Sequence, residues 1–274
     1  MYSYFNGKIL SIQKLKISPY DLGLLRAYAV FDVMRTYNGK PFLIEEHWRR
    51  LCNSAKEVGL SMPIKENNFS KIVEELLRKN KFPESNIRTV LTGGVSKNGF
   101  SYDLGKETLF ILVEKFNPLS QDVFQKGVKV MKVKYARDFS KSKTTNYLMA
   151  LKNQGKKNKS KAFELVYIDD NGKVLETATS NFFIVIKGVI VTPKEGVLHG
   201  ITRKVVIKLA GELGMSVEER EIKEEELCNA QEAFLTATNK DIVPIVRVDS
   251  NKIGNGRVGD VTKSLIEKFR KFVQ

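Results

Sequence analysis

Lys143 lies in the run Lys143-Thr144-Thr145-Asn146-Tyr147-Leu148, and thirty-three residues further on Glu176 opens Glu176-Thr177-Ala178-Thr179-Ser180-Asn181-Phe182-Phe183. A lysine amine condenses with an aldehyde to give a Schiff base. A carboxylate held against a pyridine nitrogen keeps that ring protonated and able to accept electrons. A third run, Leu198-His199-Gly200-Ile201-Thr202-Arg203, reads as the start of a helix, whose first amide groups suit a phosphate. Pyridoxal 5'-phosphate chemistry requires all three parts.

The elements that must position these residues alternate between strand-like and helical patterns. Over residues 1–40 the turn dipeptides Asn6-Gly7 and Asn38-Gly39 separate apolar, strand-like runs such as 30–34, which predicts hairpins. Helices are predicted over 45–58, with Leu51, Ala55 and Val58 at helical spacing, and over 68–79, with Ile72, Val73, Leu76 and Leu77. Strands follow at 87–92 and 108–114. Asn117-Pro118-Leu119-Ser120 then interrupts both patterns. Beyond it the sequence predicts a strand at 128–133, a helix after Thr145 and a hairpin through Asp170-Asn171-Gly172 into 182–186. Further strands are expected at 189–192, 233–238 and 242–248. Helices are expected over 202–213, with Val205, Val206, Leu209 and Leu213 as one apolar stripe, and over 261–272. The reading is α+β in two domains, 1–115 and 125–274, joined by a linker at 116–124, with most strand pairing made by hairpins.

A chain of 274 residues with 42% hydrophobic content can bury a core of that size. Two cysteines, Cys52 and Cys228, and two histidines, His47 and His199, are too few for a disulfide framework or a metal site, so no metal is expected. The first residues read as a hairpin rather than a secretion signal, and no apolar run is long enough to span a bilayer, so a cytoplasmic protein without a membrane partner is expected. The net charge of +15 and the run Lys156-Lys157-Asn158-Lys159-Ser160-Lys161 raise the alternative of a basic nucleic-acid-binding module without catalysis. No aromatic residues interleave with that run, and the remaining lysines are scattered over both halves. A solvated basic surface with no nucleic-acid partner is the preferred reading.

Asp21-Leu22-Gly23-Leu24-Leu25-Arg26, Val30-Phe31-Asp32, Gly39-Lys40-Pro41-Phe42 and His47-Trp48-Arg49-Arg50-Leu51 with Ser54-Ala55 together resemble the N-terminal signature of the class IV aminotransferases. The resemblance continues through Lys143 to Leu148, Glu176 to Asn181, Thr192-Pro193, Gly200-Ile201-Thr202-Arg203, Thr236-Ala237-Thr238 and Ile242-Val243-Pro244-Ile245. It covers essentially the whole chain. It implies fold type IV of the pyridoxal phosphate enzymes: a smaller N-terminal α/β domain and a larger C-terminal domain with a barrel-like sheet. It further implies a homodimer whose active sites border the subunit interface.

The same resemblance implies a role for each matching residue. Lys143 forms the Schiff base and moves the proton between the substrate α-carbon and the cofactor, a task for which an amine generally needs its basicity lowered by burial. From the residues alone Lys141 is a rival. The family pattern sets the lysine three residues before Asn146, whereas the longer interval of branched-chain members would land on Ser142. Glu176 is implied as the partner of the pyridine nitrogen and Arg50 as the phosphate-binding arginine, with Arg49 on the helix surface. The amides of Ile201 and Thr202 and the Thr238 hydroxyl would complete the phosphate cup, Leu198 would pack on one ring face, and Tyr147 would reach the ring hydroxyl.

Substrate contacts are expected from Arg26, Phe31, Arg88, Thr179, Ala237 and Asn239. Typical D-amino acid transaminases carry an arginine and histidine pair after the strand containing Arg88-Thr89-Val90-Leu91-Thr92-Gly93-Gly94, and this chain has Lys97-Asn98-Gly99-Phe100 there. Phe31 stands where those enzymes usually have tyrosine. Branched-chain enzymes often begin the same strand with a tyrosine and arginine pair, here Asn86 and Arg88. Arg26 is a candidate replacement anchor for the α-carboxylate, the alternative being an interface ion pair, and Thr179 occupies the place of a second arginine found in some D-specific members. The expected activity is ping-pong transamination between an amino acid, D-amino acids favoured, and a 2-oxo acid such as 2-oxoglutarate or pyruvate. The alternatives are a branched-chain L-amino acid aminotransferase and an aminodeoxychorismate lyase-like enzyme.

Overall fold

A computed structural model describes residues 1–274, which form two compact units, Met1–Asn117 with Ser142–Asn146, and Pro118–Lys141 with Tyr147–Gln274. The segment 142–146 thus belongs to the first unit, although its place in the chain suggested the second domain. Residues 121–124 of the expected linker fall in a short helix, Gln121–Lys126, of the second unit.

The first unit contains β1 (Tyr2–Phe5), β2 (Lys8–Ser11), α1 (Leu22–Arg26), β3 (Ala29–Tyr37), β4 (Lys40–Pro41), α2 (Ile44–Glu57), α3 (Glu66–Asn80), β5 (Ser85–Thr92) and β6 (Thr108–Lys115). Its strands form one antiparallel sheet in the order β2-β1-β6-β5-β3-β4. Asn6 and Gly7 both take positive φ, 41° and 90°, the backbone that a tight β1–β2 hairpin needs. Asn38 and Gly39 do the same between β3 and β4, at 52° and 72°. Helix α1 stands where a hairpin was expected. Asp21 Oδ1 accepts the Gly23 amide at 2.8 Å and caps it, while Oδ2 accepts the Thr92 hydroxyl at 2.9 Å. Trp48, Leu51 and Ala55 of α2 and Phe69, Val73 and Leu76 of α3 are buried with Val30, Met34, Leu91 and Ile111 of the sheet. Those helical spacings put one apolar stripe of each helix on the core.

The second unit contains α4 (Gln121–Lys126), β7 (Val128–Lys134), α5 (Leu148–Lys152), α6 (Gln154–Lys159), β8 (Glu164–Ile168), β9 (Lys173–Thr177), β10 (Asn181–Ile186), β11 (Val189–Thr192), α7 (Ile201–Glu212), β12 (Val217–Glu219), β13 (Ile222–Lys223), β14 (Glu232–Ala237), β15 (Asp241–Val248), β16 (Asn251–Lys252) and α8 (Asp260–Phe272). Its sheet runs β12-β11-β10-β14-β15-β7-β8-β9-β13, with β16 on β15. It curls into a half-barrel in which β9 returns beside β10, the Thr177 amide donating to the Ser180 carbonyl at 2.8 Å. Most pairs are antiparallel, but β7 pairs in parallel with both β8 and β15, and β11 with β12. Strands β8, β10 and β14 are nearly continuous apolar runs, as strands covered on both faces must be. Val205, Val206 and Leu209 of α7 are buried, whereas Leu213 lies past the helix end and is exposed. Thr238, expected to end a strand, sits in the turn after β14.

Candidate active site

In the first unit α2 lies against β3, and His47 and Arg50, three apart on one helical face, both reach Asp32. Arg50 Nε donates to Asp32 Oδ2 at 2.7 Å and Nη2 to Oδ1 at 2.9 Å, a two-pronged grip that leaves Nη1 without a protein partner. His47 Nδ1 is 2.6 Å from Asp32 Oδ1, and His47 Nε2 is buried with no partner. Arg49 points away to a surface pair with Glu46.

Burial alone would push the Asp32 carboxyl up, but the Arg50 and His47 charges and hydrogen bonds outweigh it and hold it far below the usual carboxylate range. Burial pushes His47 down, and Arg50 and Lys143 add to that against the pull of Asp32. The group is thus a buried carboxylate, a neutral imidazole and a guanidinium fixed with one donor nitrogen to spare.

Lys143 is tied to the same frame by its backbone. The Phe31 amide donates to the Lys143 carbonyl at 2.9 Å, the Lys143 amide donates to Ser54 Oγ at 3.0 Å, and Thr144 bridges Val30. Its Nζ lies 4.6 Å from the centre of the Phe31 ring. Lys141, by contrast, is 67% exposed and faces the equally exposed Glu195 at 3.6 Å. The two rivals therefore differ in kind: one amine is held beside buried chemistry and the other is in solvent.

The second unit builds another cluster around Glu176, which lies near the end of β9 and is buried. Arg137 Nε donates to its Oε1 at 2.9 Å, and Nη2 donates to the same oxygen and to the Ser140 carbonyl at 2.7 Å. Oε2 accepts the Leu198 amide at 3.1 Å and faces Asn181 Nδ2 at 3.5 Å. Asn181 Nδ2 also holds the Leu198 carbonyl at 2.6 Å, which fixes the approach to α7. Gly200 caps α7 without any side-chain bond, so the first amides, at Ile201 and Thr202, stay available as helix N-termini leave them. A Cβ on residue 200 would come within 2.1 Å of Asn181 Oδ1, so only glycine fits there.

The remaining sequence-predicted residues are distributed as follows. Tyr147 is half-buried at the start of α5, close enough to Tyr167 to add to the burial that raises that phenol. Thr238 and Ala237 are half-buried and Asn239 is exposed. The Thr179 hydroxyl is committed to Glu164 and Lys240. In the first unit Phe31 is buried beside Lys143, whereas Arg88 is 43% exposed and lies 4.0 Å from Glu114. Arg26 is exposed, with Nη1 turned back on the Leu25 carbonyl at 3.0 Å. Sequence reasoning gave no role to Asp32 or His47, although the three-residue spacing of His47 and Arg50 was a usable signal. It missed Arg137 altogether, because nothing local marks which arginine will fold back on a distant acid.

Arg137→Leu takes the guanidinium away from the buried Glu176 carboxylate. Since the guanidinium is 16% exposed, the expected loss is roughly 2 kcal/mol, read as a lower urea midpoint of the cofactor-free protein, with Arg137→Lys losing less. An unchanged midpoint would mean that Glu176 needs no such partner.

Within the first unit the arginine with a spare nitrogen suits an anion, and within the second the uncapped helix start suits an anion and the buried carboxylate a protonated ring nitrogen. No group of three or more histidine, cysteine or acidic side chains is arranged to hold a metal ion, and no helix is long and apolar enough to cross a membrane. The profile of the family described as amino-transferase class IV matches residues 29–248. A putative branched-chain-amino-acid aminotransferase of Methanocaldococcus jannaschii is 36% identical, over 97% of this chain and 94% of that one. A D-alanine aminotransferase of Bacillus licheniformis is 29% identical over 95% and 93%. Among solved structures, a branched-chain amino acid aminotransferase of T.th. with pyridoxamine 5'-phosphate superimposes with a TM-score of 0.92, at 26% identity and over 99% of this chain and 93% of that one.

Proposed function

The chain belongs to the class IV aminotransferases, and from that premise we propose that it transfers the amino group of apolar, branched-chain-type amino acids to a 2-oxo acid. As a member of that family it is an enzyme dependent on pyridoxal 5'-phosphate, which supplies an aldehyde for the amino group and a ring that takes up the electrons released at the α-carbon. Lys143 is the residue we assign to covalent attachment and to moving the α-proton. Its carbonyl and amide, bonded to Phe31 and Ser54, fix where the amine starts from. Arg50, aimed by Asp32, offers Nη1 to the phosphate, and the Ile201 and Thr202 amides with the Thr238 hydroxyl supply further donors. Glu176, paired with Arg137, partners the ring nitrogen. Leu198 covers a ring face and Tyr147 meets the ring hydroxyl.

One observation carries the substrate class. The Phe31 ring, a hydrocarbon surface, lies 4.6 Å from the Lys143 amine, and the Arg88 guanidinium lies 5.8 Å from the centre of the same ring. The ring suits an aliphatic side chain. Arg26, the candidate anchor, is in solvent on its own backbone, and Arg88 is 43% exposed with Glu114 4.0 Å away. That shifts recognition of the α-carboxylate toward the turn at Ala237 and Asn239. The name of the Methanocaldococcus jannaschii relative supports this reading. A second reading, D-amino acid transamination, is favoured by the similarity to D-alanine aminotransferase and by the presence of Arg26.

A single-turnover scan that follows the bound cofactor's absorbance separates them. L-leucine, L-isoleucine and L-valine are expected to react fastest, with D-alanine and simple amines at least roughly tenfold slower. A faster reaction with D-alanine overturns the first reading in favour of the second. In the same assay Arg26→Leu is expected to change KM by less than about twofold, as for an exposed charge, while a large rise confined to amino acids would restore Arg26 as the anchor.

The active assembly we propose is a homodimer. Tyr20, Leu24, Phe100 and Leu104 of the first unit leave large apolar surface exposed, with Phe100 at 80%. Light scattering is expected to give twice the 31.1 kDa chain mass, and a monomeric, active protein would refute it.

A further inference from the structure

Lys240 carries an ammonium that solvent barely reaches, in a chain whose other lysines are mostly on the surface. It follows Thr238 and Asn239 in the turn between β14 and β15, and its side chain, 14% exposed, runs inward to Glu164 at the start of β8. There Nζ donates to Glu164 Oε1, to Thr179 Oγ1 and, at 3.3 Å, to Ser180 Oγ. An ammonium has three donors, so none is left for a substrate. Glu164 in turn accepts the Thr179 hydroxyl, the Ser180 hydroxyl at 3.1 Å and the Thr179 amide at 3.3 Å. The Thr177 side chain also hydrogen-bonds Glu164, and its hydroxyl meets the Ser180 carbonyl at 2.9 Å.

The placement of this network gives it a task. Along the sheet, β15 and β7 separate β14 from β8, so the Lys240–Glu164 pair runs as a chord across the half-barrel rather than along a hydrogen-bonded ladder. The turns 238–240 and 178–180 already lie at one end of the paired strands β14 and β10, where Thr236 faces Asn181, and the pair ties both of them to β8. Taking two charges out of water gains little net stability compared with apolar packing, so such a pair matters more for where it fixes its backbone than for the energy it adds.

We propose that Lys240 is a positioning residue that, through Glu164, locks the turn bearing Thr238 and Asn239 against the turn bearing Thr179, and thereby sets the affinity for phosphate and substrate carboxylate. The inference rests on the assignment of Thr238 and Asn239 made above. It acts on binding rather than on the chemical step.

The test uses the cofactor-loaded enzyme and its cofactor-free form. Lys240→Met alone strands a buried carboxylate and is expected to lower the melting temperature, whereas Lys240→Met/Glu164→Gln removes both charges and should melt close to the parent. In that double variant the Kd for pyridoxal 5'-phosphate and the KM for amino acid are expected to stay roughly tenfold raised with kcat within about threefold, a difference of about 1.4 kcal/mol in binding. Lys240→Arg, which keeps a cation for Glu164, should recover part of the affinity. A double variant with parental Kd and KM overturns the proposal and leaves the pair a purely structural contact. Thr238→Val reports on the underlying assignment separately: if it leaves the Kd unchanged, Thr238 is not a phosphate ligand, whatever Lys240 does.

Discussion

Lys143→Ala is expected to lower transaminase turnover by at least about a thousandfold, because one amine both holds the cofactor and moves the α-proton. Loss of the covalent link should also remove the visible absorbance band of the loaded protein and leave cofactor that gel filtration strips. Lys141→Ala is the control. Its amine faces Glu195 in solvent, so its loss should change turnover by less than about twofold. Folding should survive the first substitution, since the segment is anchored by backbone bonds from Lys143 to Phe31 and Ser54 and from Thr145 to Ala29, none of which uses the lysine side chain. If Lys143→Ala keeps the band and Lys141→Ala loses it, the assignment passes to residue 141.

The second large effect is expected at Asp32. Asp32→Asn keeps the shape but removes the charge facing Arg50 and replaces an acceptor of His47 Nδ1–H by an amide, leaving a guanidinium only 12% exposed without its counter-ion. Breaking a buried pair in this way costs about 3–5 kcal/mol, so the denaturant midpoint should fall steeply. Affinity for pyridoxal 5'-phosphate should fall with it, because Arg50 loses the grip that aims Nη1. The parent protein should show the same linkage through pH. His47 is pushed below its ordinary value, so the unfolded chain takes up the proton first, and stability declines as the pH drops below about 6.5. Asp32 is held far below its ordinary value, so a further loss sets in below about pH 4, where the unfolded carboxyl is protonated and the folded one is not. Both losses run the same way. Urea unfolding from about pH 8 down to about pH 2.5 measures them, and a midpoint that does not move across about pH 7 to 5 would show that His47 contributes nothing.

Local signals were readable wherever one residue or one period decided the outcome. The Asn-Gly pairs at 6–7 and 38–39 specify their turns because both positions need positive φ. The stripes of α2 and α3 specify their buried faces. What stayed hidden was decided by distant partners. Alternation along β7 does not say that it will run parallel to β8 and β15, since strand neighbours are chosen by packing of the whole sheet. Helix α1 was read as a hairpin because its cap, Asp21, is completed by Thr92 from β5, seventy-one residues away. In the site the same division holds. Lys143, Arg50 and Glu176 stand in recognisable runs, whereas Asp32, Arg137 and Lys240 acquire meaning only when the chain brings an opposite charge to them.

Gly200 and Asn181 share a space that only one of them can fill. The carboxamide that steadies Glu176 and the Leu198 carbonyl is the very group a methyl at residue 200 would strike. Any library that places a side chain at 200 must therefore displace or shorten the side chain of residue 181 in the same step. Doing so loosens the helix entrance and removes one contact of the acid together, so two positions nineteen residues apart are coupled.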